Sequence, residues 1–395
     1  MASIAQPDAM RDLIEISRRY GADSAFVLAG GGNTSFKQGN RLWVKASGHA
    51  LATIGADGFV ELDRDALEAM LNSDWPRDPK EREACFIERV MAARISPQLN
   101  QRPSVEALLH HLLPDALVVH THPGMINALT CCINGEKLAT ELLGDEVLWQ
   151  KYVDPGVILA QALGKSLAQH RQRTGRAPLA ILLANHGLIV SGNSAFEIQA
   201  ISNRIVGRIR EHLSTLPPLS WEDRLYPSHQ VILANYANAM SRLIPGVSVA
   251  LDESEPITRL VGSVQGQDAA LGGPLTPDQI VYCRSFPIWI ENPSAELNEA
   301  ERQLNEARTA YIEKHGLEPW AGLIAGAGLI TFRDSEKLAQ VTRSIFVDAA
   351  AVYQNAARLG GVQALGRRDQ QFIEHWEVEA YRRSVMSKSA SVAGS

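Results

Sequence analysis

The hydrophobic pattern alternates between helical and strand periods over the first half of the chain. Pro7-Asp8 opens an amphipathic segment in which Met10, Leu13, Ile14 and Ser17 recur at helical spacing, with Gly21 as its expected stop. The glycine-rich run Gly30–Ser35 reads as a turn leading through Lys37 and Asn40 to a strand at Leu42–Lys45. A second turn follows at Ser47-Gly48, and a further turn and strand at Asp57–Leu62. A helix is predicted to start near Pro103 or Ser104, with Glu106 in its first turn and Leu108, Leu109 and Leu112 as its apolar stripe, stopping at Pro114. In the strand Leu117–His122 side chains alternate, so His120 and His122 share one face. A helix is expected over Pro155–Gln172, a buried strand over Leu179–Ala184, a turn at Asn185–Leu188 and a long helix over Ala195–Leu213.

This mixture predicts a layered α/β domain. The paired prolines at Leu216–Leu219 mark its end, giving expected domains of 1–216 and 217–395. The second part, expected to be a smaller α/β or α+β domain, has helical patterns at Gln230–Leu243, Glu296–His315 and Ser335–Leu359, with a strand at Ile288–Ile290. No internal repeat is read from the sequence, and the small-residue tail after Met386 is expected to fray.

Composition narrows the partners. With 395 residues, 45% hydrophobic and 21% charged, the chain is long enough for two packed cores. Its net charge of −6 and the lack of a Lys/Arg stripe argue against nucleic acid or an anionic membrane as partner. No secretory signal or bilayer-length apolar run is read, and Cys85, Cys131, Cys132 and Cys283 lack C-x-x-C spacing, so a reducing cytoplasm is expected. Cys131 and Cys132 read as small buried hydrophobes.

The candidate chemistry lies in the histidines. Two imidazoles on one strand face, a third at His186 before Gly187, and one carboxylate fit a catalytic Zn²⁺ or a similar divalent ion with coordination left open. The plainer alternative is an exposed polar face and an ordinary turn residue. Flanking apolar runs at Val118–His120 and Ile181–Ala184 favour burial, where polar side chains need partners.

Four motifs carry a family resemblance: GGGNTS at Gly30–Ser35, KASG at Lys45–Gly48, RPSVEALLHHLLPDALVVHTHP at Arg102–Pro123 and LLANHGLIVSG at Leu182–Gly192. In this order and spacing they resemble the class II aldolase/adducin family over roughly residues 5–215. With TPDQIVYCRSFPIWIE at Thr276–Glu291, the chain looks most like the aldolase part of rhamnulose-phosphate aldolase/dehydrogenase proteins. No strand–GxGxxG–helix follows; Gly326-Ala327-Gly328 reads instead as packing glycines in a strand-to-helix turn.

The resemblance implies that His120, His122 and His186 ligate the metal, with Glu106 as an acid/base that also approaches it. It assigns Gly32, Asn33, Ser47, Gly48 and Ser104 to a substrate phosphate. Val105 stands where many relatives have a second serine, and Lys45 is either a replacement phosphate contact or a solvated strand-end lysine. Tyr152 is either an acid/base supplied to a neighbouring subunit or a core tyrosine. The implied protein is a cytoplasmic homo-oligomer, a tetramer by resemblance, cleaving a ketose 1-phosphate into dihydroxyacetone phosphate and an aldehyde. An epimerase is ranked lower because those relatives carry Asp at the Glu106 position; a dehydratase, a decarboxylase or a non-catalytic adducin-like binding protein remain alternatives. A nucleotide-dependent oxidoreductase role for residues 220–395 is a further one.

Overall fold

A computed structural model describes residues 7–96, 101–219 and 224–375; the tail after Met386 lies outside the described residues. The chain divides into two compact units, the first comprising residues up to Thr130 and Gly135–His212, the second Cys131–Asn134 and everything from Leu213. The first unit ends at His212, and a four-residue excursion at 131–134 belongs to the second unit.

Unit 1 holds strands β1 (Asn33–Gln38), β2 (Arg41–Lys45), β3 (Phe59–Asp63), β4 (Leu117–Thr121), β5 (Val147–Gln150), β6 (Ala180–Leu183) and β7 (Gly187–Gly192). They form one sheet in the order β3-β2-β1-β4-β7-β6-β5, antiparallel throughout except for β5 and β6. Helices α1 (Pro7–Ala22), α2 (Arg64–Leu71), α3 (Pro79–Ala92), α4 (Ala107–Leu112), α5 (Gly124–Thr130), α6 (Gly135–Leu143), α7 (Val157–Thr174) and α8 (Ala195–Thr215) flank it. Asp63 and Asp78 start α2 and α3 by accepting hydrogen bonds from the first helical amides, the usual way to satisfy otherwise orphaned donors.

Three local expectations change. Asn33-Thr34-Ser35 is strand β1, not turn, because all three residues pair with β4 and Ser35 pairs with β2 as well. Glu106 precedes α4 instead of lying in its first turn. Gly21 does not end α1; a Cβ there would sit 2.2 Å from the Ala52 nitrogen, so the glycine serves close packing.

Unit 2 contains α9 (His229–Leu243), β8 (Ser248–Asp252), α10 (Glu255–Gly262), α11 (Gly266–Leu271), α12 (Pro277–Cys283), β9 (Ile288–Ile290), α13 (Leu297–His315), β10 (Ala321–Ile324), β11 (Gly328–Arg333), α14 (Glu336–Arg358) and α15 (Arg367–His375). Its sheet runs β8-β11-β10-β9. Cys131 and Cys132 are buried, as expected of small hydrophobes.

The expectation of no repeat is wrong. The sheet of unit 2 follows β4-β7-β6-β5 of unit 1 strand for strand, with the same sequence of antiparallel, antiparallel and parallel pairings. Ala180 faces Val190 and Leu183 faces Gly187 in one hairpin; Ala321 faces Thr331 and Ile324 faces Gly328 in the other, each position displaced by 141. The left-handed residue of the turn, Asn185 (φ 53°), recurs as Gly326 (φ 65°). Gly326-Ala327-Gly328 therefore lies in a strand-to-strand turn, not a strand-to-helix turn. In this register Ala327 stands where unit 1 has His186, Leu251 where it has His120, and Glu253 where it has His122. Six of the thirteen residues of Ala180–Gly192 recur unchanged in Ala321–Arg333, at Ala321, Leu323, Ala325, Gly328, Leu329 and Ile330, whereas Asn185 and His186 do not recur.

Candidate metal centre

His120 lies near the end of β4, directly between Asn33 of β1 and Ile189 of β7, and is fully buried. His122 follows just past the strand end, where its N–H donates to the Phe26 carbonyl (3.1 Å). His186 sits in the β6–β7 turn, whose chain reversal is made by Asn185 at φ 53°, a conformation asparagine tolerates better than most residues. Gly187 is required here: a Cβ would lie 2.5 Å from the Thr121 carbonyl oxygen and 2.8 Å from the His122 ring.

These elements bring the three rings together. The Nε2 of His120 lies 3.0 Å from that of His122 and 3.4 Å from that of His186. Two nitrogens at Zn–N distances in a tetrahedral shell stand about 3.3 Å apart, so the spacing fits a shared divalent ion. His120 Nδ1 is 2.9 Å from the Leu188 carbonyl, which takes the ring proton and turns the Nε2 lone pair toward the cluster. Glu106, buried to 7% exposure, places Oε1 3.2 Å from His120 Nε2 and 3.7 Å from His186 Nε2. Nitrogen lone pairs and a carboxylate converging in a buried place need a positive charge between them, and the donor set suits Zn²⁺ or a related ion.

Lys45, Ser47, Ser104 and Asn33 are linked by hydrogen bonds through the segment that precedes Glu106. The chain at Arg102–Ser104 pairs with the end of β2: Ser47 N–H donates to Arg102 O (2.8 Å) and Ser104 N–H to Lys45 O (3.1 Å). The RPS and KASG motifs thereby lie side by side. Ser47 Oγ donates to Pro103 O (3.2 Å), and Lys45 Nζ, in a largely buried side chain, donates to His49 O (2.9 Å). Gly32, at φ 75°, precedes Asn33, and Gly48, at φ 90°, follows Ser47. Asn33 Nδ2 donates to Ser104 Oγ and to Glu106 Oε2 (3.3 Å), while its Oδ1 is buried without a partner. Tyr152 is half-buried in the loop after β5, an edge strand separated from β4 by β7 and β6.

The sequence reading missed the groups behind Glu106. His110, Ser35 and Lys37 are buried and polar around α4 and β1. A signal was present: Asn33, Ser35 and Lys37 alternate with Thr34 and Phe36, and His110 follows Glu106 at helical spacing on an apolar helix.

Residues 11–202 match the family described as Class II Aldolase and Adducin N-terminal domain, and residues 230–382 match Aldolase class II, second domain. The chain belongs to the class II aldolase/adducin family. A curated relative, the "Uncharacterized oxidoreductase YuxG" of Bacillus subtilis (strain 168), is 25% identical over 424 aligned positions, covering 97% of this chain. The chain spans 59% of that relative's length. Among solved structures, the N-terminal class II aldolase domain of a conserved protein from Thermoplasma acidophilum is 26% identical over 54% of this chain and 97% of its own (TM-score 0.45). The L-fuculose-1-phosphate aldolase from Thermus thermophilus is 17% identical over 54% of this chain and 100% of its own (TM-score 0.35). Among the described residues, no helix is long and apolar enough to cross a membrane.

Proposed function

We propose that this chain is a divalent-metal-dependent aldolase that reversibly cleaves a ketose 1-phosphate into dihydroxyacetone phosphate and an aldehyde. The observation that supports it most is the convergence of His120, His122 and His186 with Glu106 within contact of two of them. His120, His122 and His186 would hold a divalent ion, which when bound would supply Lewis-acid stabilisation of the negative charge that develops on the ketose oxygens as the carbon–carbon bond breaks. Glu106 accepts the proton of the hydroxyl whose carbon becomes the aldehyde and delivers one to the enediolate carbon, which closes the proton balance. Asn33 fixes Glu106 Oε2 and presents its remaining acceptor, Oδ1, to a substrate hydroxyl. Gly32, Ser47, Gly48, Ser104 and Lys45 form the phosphate side, which the pairing of residues 45–47 with 102–104 supports. Tyr152 serves a neighbouring subunit of a homo-oligomer as a second acid/base.

Assay of a panel of ketose 1-phosphates for dihydroxyacetone phosphate, with chelator and with metal restored, tests the reading. Metal-dependent release supports it. Metal bound without release from any ketose phosphate would turn the assignment toward epimerase, dehydratase or decarboxylase chemistry, and failure to bind any divalent ion would favour an adducin-like binding protein. A nicotinamide-dependent reading, suggested by the name of the B. subtilis relative, finds no dinucleotide fingerprint in this sequence.

A further inference from the structure

Strand β1 turns Asn33, Ser35 and Lys37 to one face, and all three grip the segment that carries Glu106. Asn33 holds Ser104 and Glu106 Oε2. Ser35 Oγ lies 2.7 Å from His110 Nδ1, and Lys37 Nζ donates to the His110 carbonyl (2.8 Å). His110 in turn donates its N–H to the Glu106 carbonyl (3.1 Å), one helical turn back. The opposite face of β1 is used differently, with Thr34 Oγ1 2.7 Å from Ser17 Oγ on α1.

Burying a lysine amine and an imidazole costs more than apolar packing of the same volume would. Ser35 and His110 are fully buried and Lys37 is 6% exposed. Burial pushes the His110 imidazole down to about 3, so its ring is neutral; Nδ1 meets Ser35 Oγ, and Nε2 is buried without a hydrogen-bond partner. A polar ladder of this kind fixes one geometry where an apolar contact would allow several.

We propose that Ser35, Lys37 and His110 are positioning residues that lock α4 onto β1, so that the Glu106 carboxylate stays between Asn33 and the three imidazoles. The inference rests on the reading of Glu106 as the proton-carrying group. It places the precision of the site in a buried clamp behind it, on residues that touch neither substrate nor metal.

The test uses the full chain and the variants Ser35→Ala, Lys37→Met, His110→Phe and His110→Asn. In metal-free protein, hydrogen exchange across residues 104–112 is expected to accelerate at least about tenfold in Ser35→Ala, while residues 117–122 keep their protection. In metal-loaded protein, kcat for ketose phosphate cleavage is expected to fall about 10- to 100-fold with metal content and KM little changed. His110→Asn, which keeps a hydrogen-bonding atom near the Nδ1 position, should recover most of what His110→Phe loses. Unchanged local exchange overturns the clamp, as does a kcat loss that follows loss of metal or of global stability. Should His110→Phe not fold, the Ser35 and Lys37 variants each still remove one rung. A wild type that cleaves no ketose phosphate defeats the functional reading, and the exchange result then decides the clamp by itself.

Discussion

Asn33 and His120 face each other directly across the β1–β4 ladder. The same Asn33 binds Glu106 through Oε2, and the other oxygen of that carboxylate lies 3.2 Å from His120 Nε2. One cross-strand pair thus sets the distance between an imidazole of the centre and the carboxylate beside it.

His122→Ala and Glu106→Gln should separate the two roles. Loss of one of three imidazoles is expected to remove bound zinc and activity together. Glu106→Gln should leave zinc bound and lower turnover by about 10²-fold or more, since a general base normally contributes 10²–10⁴. Metal content by elemental analysis beside kcat would show it; full turnover in either variant would contradict the assignment.

Metal stoichiometry tests the meaning of the repeat. Unit 2 has Leu251, Glu253 and Ala327 at the positions corresponding to His120, His122 and His186. Its turn is also covered by its own chain, with Tyr226 N–H donating to Gly326 O (2.9 Å). Titration is expected to end at one tightly bound divalent ion per chain, all of it lost in His120→Ala. A second tight equivalent that survives this substitution would show an independent site.

Gly187→Ala probes the close approach of the turn to β4. Its methyl group would meet the Thr121 carbonyl oxygen at 2.5 Å, so either the turn carrying His186 or the strand end carrying His122 must shift. A loss of about 1–3 kcal/mol in unfolding free energy is expected, with weaker zinc binding measured by chelator competition. Wild-type affinity and Tm would refute the steric account.

Stability should vary with pH through Lys37. Burial, aided by the nearby Arg64 charge, lowers this lysine from 10.5 to about 7. Between those values the unfolded chain holds a proton that the folded chain lacks, so this group makes stability rise with pH from about 7 toward 10. In Lys37→Met that contribution disappears. The difference in unfolding free energy, wild type minus variant, should climb with pH by at most about 1.4 kcal/mol per unit, as read from urea denaturation. A difference that does not change with pH would mean Lys37 is not buried as an uncharged amine.

The sequence by itself determined the family and singled out the three histidines that the fold brings together. Alternation along Leu117–His122 and the Asn185-His186-Gly187 turn are local patterns, set by backbone geometry over a few residues, and they remain legible without knowledge of distant contacts. Burial of the small Cys131 and Cys132 was legible for the same kind of reason. Tertiary structure alone decided that GGGNTS is half strand, because only its pairing with β2 and β4 made it so. It also decided that Asn33 holds Glu106 and that His110 is clasped from behind. Those facts depend on residues 73 and 75 positions apart, whose proximity is fixed by sheet register and burial and leaves no local period in the chain.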